Sequence, residues 1–348
     1  MLRIAVEARQ STIVGHDVSL SVFLRIIRPL REFSTRKPIL LIIETTQRLL
    51  EQAVPDFDVL IMNRPFSSLS AALASRAKAL DIPVIVDVDD WMYGNPSYGK
   101  GLLKGADPQI ISGIYALADC VVVPTSFFRQ AISPSYRGPT YCIPYATDFC
   151  EEDAYLHRES TKSILLSSMF TLKLGSKTVA FAEAIKEFLS QNEDWQLDFY
   201  CENFDISIFS HDRISVKKPI GYKEYRKILS RRNYDFCIVP LSGYEDLDDI
   251  LFNACKSPVK YVDYSAAGLP AIFSRSPVYE MAVTNKVTGL LVDNTTEDWL
   301  LALNSLASST ELRERLANNC YEDAKKHYTL ERTAAAWEQV INSVVNRA

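Results

Sequence analysis

Lys256-Ser257-Pro258-Val259-Lys260-Tyr261-Val262-Asp263-Tyr264-Ser265-Ala266-Ala267-Gly268-Leu269-Pro270 is the stretch that decides how this chain folds. An apolar run, Tyr234 to Leu241, precedes it across a polar loop, and a shorter one, Ala271 to Ser274, follows it. Ser257 is suited to cap a helix, and Pro258 suits a first turn, where a missing N–H costs nothing. Gly268-Leu269-Pro270 reads as the helix exit into the next strand. The pattern therefore sets the N-terminus of a helix over 258–267 at the carboxyl end of a strand, with Lys256 and Lys260 beside it. Free N–H groups, the helix dipole and two ammonium groups make an anion site, and phosphate suits it best. Asp263 stands one turn on, placed to accept hydrogen bonds from sugar hydroxyls.

The same alternation runs through the whole chain. Apolar runs near 2–8, 39–45, 57–63, 83–88, 120–125 and 140–146 are separated by amphipathic stretches at 18–33, 66–80, 107–118 and 126–133. A polar, aperiodic stretch at 151–162 follows. The alternation then restarts, with strands near 163–168, 196–201, 214–218, 235–241, 270–274 and 289–292. Near-continuous apolar strands separated by helices mark parallel sheets covered on both faces. The reading is α/β: two doubly wound, Rossmann-like domains facing a cleft. Residues 1–150 form the first domain, 151–162 the linker and 163–328 the second domain. Residues 329–348 form a last helix. Ligands of such sheets sit beyond the carboxyl ends of the strands, where the strand order switches.

Composition removes several function classes. The chain has 348 residues and a formal charge of −5, so nucleic acid is not an expected partner. Its seven cysteines are scattered and form no C-x-x-C pair, which suggests neither zinc nor a disulfide framework and fits a reducing, cytoplasmic setting. No apolar run reaches about 18 residues, and the N-terminus reads as a strand rather than a signal peptide.

Other motifs carry competing readings. Asp87-Val88-Asp89-Asp90 ends a first-domain strand. It mimics a D-x-D metal motif, but a capping role or a cleft role toward sugar hydroxyls suits its place better. Gly15-His16-Asp17 opens the first long helix: Asp17 serves as a cap, and Gly15 and His16 are candidates to line the cleft. Arg25, Arg28, Arg31, Arg36 and Lys37 against Glu32 leave four positive charges over 25–37. A basic amphipathic helix at 18–37 suits an anionic membrane surface; the alternative is a sheet-covering helix with a solvated face.

Taken with Pro240-Leu241 and Asn253 before it, the opening stretch resembles the nucleotide-sugar site of GT-B-fold glycosyltransferases of the retaining, group 1 or family-4 type. Pro277-Val278-Tyr279-Glu280, Thr288-Gly289-Leu290-Leu291-Val292, Trp299, Tyr328-Thr329 and Trp337 extend the resemblance downstream. Ala118 to Ser126 and Cys142 to Asp148 resemble the last strands of that family's first domain. The resemblance implies that the last helix, 329–348, packs back on the first domain.

The resemblance implies transfer of a sugar from a UDP- or GDP-sugar to the hydroxyl of a glycan or lipid-linked acceptor, with retention, without metal or other cofactor. The setting is bacterial-type glycoconjugate synthesis, and peripheral membrane contact through 18–37 goes with a lipid-linked acceptor. It implies a donor site of Gly15, Lys173, Lys177, Asn253, Lys256, Ser257, Pro258, Val259, Lys260 and Asp263, with His16, Asp89 and Asp90 on the catalytic side. Of the family's two glutamates, the second corresponds to Asp263 and the first falls on Cys255. The chain instead keeps the Asn253, Lys256-Ser257 and Lys260 pattern of a subgroup. Two other readings stay open: a sugar-nucleotide epimerase, and a partner subunit that binds sugar nucleotide or glycan without transferring it.

Overall fold

The computed structural model describes residues 1–8, 18–94, 107–149, 160–168, 176–201, 206–231, 233–241 and 246–346. Among the described residues, twelve strands form two six-stranded sheets. The first holds β1 (Leu2–Glu7), β2 (Ile39–Glu44), β3 (Val59–Asn63), β4 (Val84–Asp87), β5 (Cys120–Val123) and β6 (Thr140–Cys142), in the order β2-β1-β3-β4-β5-β6. The second holds β7 (Ser163–Ser167), β8 (Gln196–Tyr200), β9 (Ile214–Lys217), β10 (Phe236–Val239), β11 (Ala271–Ser274) and β12 (Leu290–Val292), in the order β12-β11-β10-β7-β8-β9. Every pairing is parallel. Each expected strand is present. The burial of β3, β4, β5, β10 and β11 along their whole length explains why they read as unbroken apolar runs.

Each sheet has one place where strand order reverses. In the first it lies between β1 and β3, and in the second between β7 and β10. Chains diverge there to opposite faces and leave a crevice at the carboxyl ends. Glu7, Asn63 and Arg64 edge the first crevice. Ser167 and the segment from Val239 to Leu241 edge the second.

Two apolar clusters cover the faces of each sheet. One of them joins the chain's two ends. Ala334, Trp337, Val340, Ile341 and Val344 of the last helix, Leu330–Val345, pack with Val22, Ile26, Ile27, Leu30 and Phe33 on the first sheet. The last helix therefore returns to the first domain, and Trp337 donates its indole N–H to the Arg25 carbonyl at 2.7 Å.

That packing is the one expected of the sheet-covering alternative for 18–37. The segment runs as Leu20–Val22, a π-helical turn Phe23–Ile27 and Arg28–Ser34. Its apolar stripe packs on the sheet and the last helix. Four of its five cations make ion pairs: Arg25 with Asp87, Arg28 with Asp148, Arg36 with Glu32 and Lys37 with Glu338; Arg31 is exposed. Among the described residues no helix is long and apolar enough to cross a membrane.

The opening stretch folds as the helix Val259–Ala266, and its exit matches the sequence reading. Gly268 takes the left-handed φ of 63°, its N–H meets Ser265 O at 2.9 Å, and Leu269 N–H meets Tyr264 O at 2.9 Å. This pair of bonds satisfies the last carbonyls of the helix. Its start differs. Pro258 occupies the capping position and no side chain caps the helix, so the Ser257 hydroxyl is not a cap. The linker at 151–162 falls outside the described residues apart from 160–162.

Trp337 has no exposed surface, so Trp337→Ala removes a large side chain from the seam between the chain's ends. Truncations of this kind cost about 3–5 kcal/mol. We expect a lower urea midpoint by tryptophan-independent circular dichroism, whereas Trp337→Phe should cost about 1–3 kcal/mol, chiefly for the orphaned Arg25 carbonyl.

Candidate functional site

The second domain contributes the helix start. The helix Leu247–Ala254 follows β10 and ends at Cys255, and Lys256-Ser257-Pro258 then turns the chain into Val259–Ala266. Lys260 points back to the carboxyl end of β7. Its ammonium donates to Ser167 Oγ at 2.6 Å and Tyr225 OH at 3.3 Å, and it lies 4.6 Å from the centre of the Tyr225 ring. So Lys260 sits on the switch point between β7 and β10. Burial pushes its pKa down to about 8, against the pull of Asp263. Lys256 lies over the Phe252 ring at 5.2 Å, and burial likewise brings it down to about 8, with Asp90 and Asp249 pulling the other way. Ser257 Oγ is a buried atom with no hydrogen-bond partner. An uncapped helix start, an unpartnered hydroxyl and two desolvated ammonium groups converge here. The arrangement suits an anion with several acceptor oxygens.

The first domain presents a charge network at the ends of β3 and β4. Arg25 grips Asp87 through Nε at 2.9 Å and Nη2 at 2.5 Å, with both side chains essentially inaccessible. Asn63 Nδ2 donates to Asp87 at 2.7 Å. Asp89 accepts from Ser21 and from Tyr145 at 2.6 Å, and it pairs by charge with the Arg64 guanidinium, whose Nε lies 3.1 Å away. Arg64 Nη1 continues to Asp90 at 2.5 Å. Arg64 is held at φ 46°, a conformation that non-glycine residues rarely adopt and that concentrates at functional sites.

The two neighbouring carboxylates part company. Burial raises the pKa of Asp89, but Arg64, Arg25 and the two hydroxyls outweigh it, and the net direction is down. For Asp90 burial prevails over Arg64, and the direction is up. Asp89 is enclosed by its donors. The Asp90 side chain is 28 % exposed and uses only Oδ2 toward Arg64. Asp90 is thus the carboxylate of this trio that is left to meet a ligand.

The halves touch. Cys255 has no exposed surface and packs in the first-domain cluster with Val88 and Met92. Burial, with Asp90 adding to it, pushes its thiol up to about 12. A Cβ placed on Gly94 would stand 2.9 Å from Asp248 Oδ1, so this glycine permits the close approach of the two domains. Ser126 Oγ meets Met281 Sδ at 3.3 Å. Behind the cleft, Asp263 Oδ1 accepts from Tyr222 at 3.1 Å, Thr147 at 3.2 Å and Arg226 at 3.4 Å. Asp263 therefore ties the segment that leaves the first domain to the second domain.

Lys256, Ser257, Pro258, Val259 and Lys260 come together at the helix start, with Asn253 buried on the helix before it and Asp89 and Asp90 on the opposite wall. Asp263 faces the crossing chain. Lys177 lies in the first turn of Ser176–Gln191. Gly15, His16 and Lys173 lie outside the described residues. Sequence reasoning missed Arg25, Arg64, Ser167 and Tyr225. The position of Arg64 straight after a strand was the one signal available. A cavity of about 510 Å³, lined by Lys162, Asn192, Trp195 and Asn304 among others, opens at the amino-terminal edge of the second sheet, the end away from this chemistry.

No protein-family profile matches the chain, and no characterised protein matches it by sequence. Solved structures do. Sucrose-phosphate synthase from Thermosynechococcus elongatus aligns over 100% of both chains with a TM-score of 0.71 at 16% identity. Anabaena HepE, solved with UDP, aligns over 99% of this chain and 100% of its own with a TM-score of 0.66 at 11% identity. The pneumococcal O-GlcNAc transferase GtfA, solved with UDP and GlcNAc, covers 82% of this chain and 57% of its own, with a TM-score of 0.60 at 14% identity. With two parallel Rossmann-like sheets, opposed switch points and a returning last helix, the chain has the GT-B fold.

Proposed function

We propose that the protein transfers a glycosyl group from a nucleoside-diphosphate sugar to a hydroxyl of a glycan or lipid-linked acceptor. The observation that carries this reading is the convergence of Lys256, Ser257 and Lys260 on an uncapped helix start at the second switch point, opposite Asp90 of the first. HepE, of the same fold, has been solved with UDP-glucose. In the reaction the bond from the anomeric carbon to the β-phosphate oxygen breaks, and a bond to the acceptor oxygen forms. The nucleoside diphosphate leaves with the electron pair. Lys256, Lys260, the Ser257 hydroxyl and the helix N–H groups meet its developing charge, so the reading requires no metal. Retention follows if the acceptor attacks on the face the diphosphate leaves, its proton passing to a departing phosphate oxygen. Closure of the cleft keeps water from the donor.

Cys255 favours a second reading. A carboxylate stands at this position in the family the sequence resembles, and here a thiol is buried in apolar contact. A subunit that binds sugar nucleotide without transferring it would tolerate that exchange. Incubation of UDP- and GDP-sugars with an acceptor panel separates the two: product or donor hydrolysis supports the transferase, and donor binding with neither supports the binding subunit.

Two measurements test the donor site. In titration calorimetry with UDP and GDP, Lys256→Ala and Lys260→Ala should each weaken the preferred diphosphate about tenfold or more, since charge-assisted hydrogen bonds contribute about 1.5–3 kcal/mol. Unchanged affinity in both removes the assignment. Affinity should also fall as pH rises from 7 to 9. Both lysines titrate at about 8, their cationic form binds the diphosphate, and that form is lost above this pH. The terminal phosphate, with its pKa near about 6, keeps a constant charge over that window. Affinity that stays flat or rises contradicts the reading.

A further inference from the structure

The wall opposite the helix start has an unbalanced charge. Asp87, Asp89 and Asp90 face Arg25 and Arg64, which leaves one carboxylate in excess. The imbalance is localised. Asp87 spends both oxygens on Arg25 and Asn63, and Asp89 spends both on Ser21, Tyr145, Asn63 and Arg64. Asp90 gives Oδ2 to Arg64 and remains 28 % exposed, with Oδ1 outside that contact. Arg64 is fixed by its two carboxylates and by its left-handed backbone, so Asp90 is held rather than mobile. Lys256, its counter-charge across the cleft, belongs to the diphosphate once a donor is bound. On the donor-site reading, a sugar carried by a diphosphate at the helix start would extend toward this anionic wall.

We propose that Asp90, braced by Arg64, is a specificity-determining residue: Oδ1 accepts a hydrogen bond from a hydroxyl of the transferred sugar, and its charge selects a neutral glycosyl group over a uronic acid. The inference rests on the donor-site reading above. A carboxylate on the sugar would lie within a few ångströms of Asp90 in a partly desolvated cleft, where like charges repel strongly. A neutral sugar instead satisfies the open oxygen with its own O–H.

The test compares UDP, UDP-glucose and UDP-glucuronate by titration calorimetry at pH 7.5, with the corresponding GDP-mannose and GDP-mannuronate pair if GDP is the preferred base. On the unaltered protein we expect the uronate to bind at least about tenfold more weakly than its neutral counterpart, the scale of one unscreened charge contact. Asp90→Asn keeps the shape and removes the charge, and should bring that ratio toward one. Equal affinity of the two sugars for the unaltered protein overturns the inference while UDP binding leaves the donor site standing, and this arm does not depend on the variant folding. A ratio unchanged by Asp90→Asn removes the assignment to this residue. Failure of every nucleotide to bind defeats the donor-site reading and this inference with it.

Discussion

The buried Arg25–Asp87 pair is the interaction on which the first domain is organised. Removing two charges from water is costly, and mutual attraction repays the cost only with good geometry and further hydrogen bonds. Both are present. The contact is bidentate, Asn63 donates to the same carboxylate, and the remaining Arg25 nitrogen reaches the Ile143 carbonyl at 3.2 Å. One guanidinium thereby joins the first helical segment, the end of β4 and the chain that leaves the domain. The Arg25 carbonyl takes the Trp337 indole N–H and adds the last helix. Burial alone would lower the Arg25 pKa; the charge of Asp87 more than offsets it, and the net direction is up. A neighbouring carboxylate, Asp89, is then locked by donors whose positions depend on this pair, and only Asp90 remains outward.

The second domain is built on the opposite principle. Lys256 and Lys260 are both desolvated, and burial lowers the pKa of each to about 8. Lys260 is met by hydroxyls and ring faces rather than by a carboxylate contact. This arrangement costs stability in the empty protein, and an anion entering the cleft relieves it. The first domain thus fixes Asp87 and Asp89 with its own donors and leaves Asp90 outward, while the second domain gathers Lys256, Ser257 and Lys260 at a helix start. The division suits a donor held by one domain and a sugar inspected by the other.

Much of this was legible in the sequence, for a physical reason. Parallel strands buried on both faces leave unbroken apolar runs, so the strands could be read one by one, and with them the helix exit at Gly268 and the return of Trp337. The helices Thr46–Glu51 and Pro277–Ala282 escaped because six residues show too little periodicity. Leu247–Ala254 escaped because its acidic first turn reads as a solvated loop. Arg25 looked like part of a basic surface, since nothing local distinguishes an arginine paired to a residue 62 positions away from one facing water. Ser257 fits the capping pattern, but Pro258 takes the capping position itself and leaves the hydroxyl unpartnered.

Cys255 and Asp263 mark where this chain departs from the family it resembles by sequence, and the two departures fit together. Asp263 is one methylene shorter than a glutamate, and its Oδ1 is held by Thr147, Tyr222 and Arg226, which fasten the crossing chain. Cys255 replaces a group that would project into the cleft with one that packs against Val88 and Met92. Both residues make contacts between the domains. On the proposed reading, polar recognition of the sugar then falls to the first domain, where Asp90 keeps an open oxygen on the wall opposite the helix start.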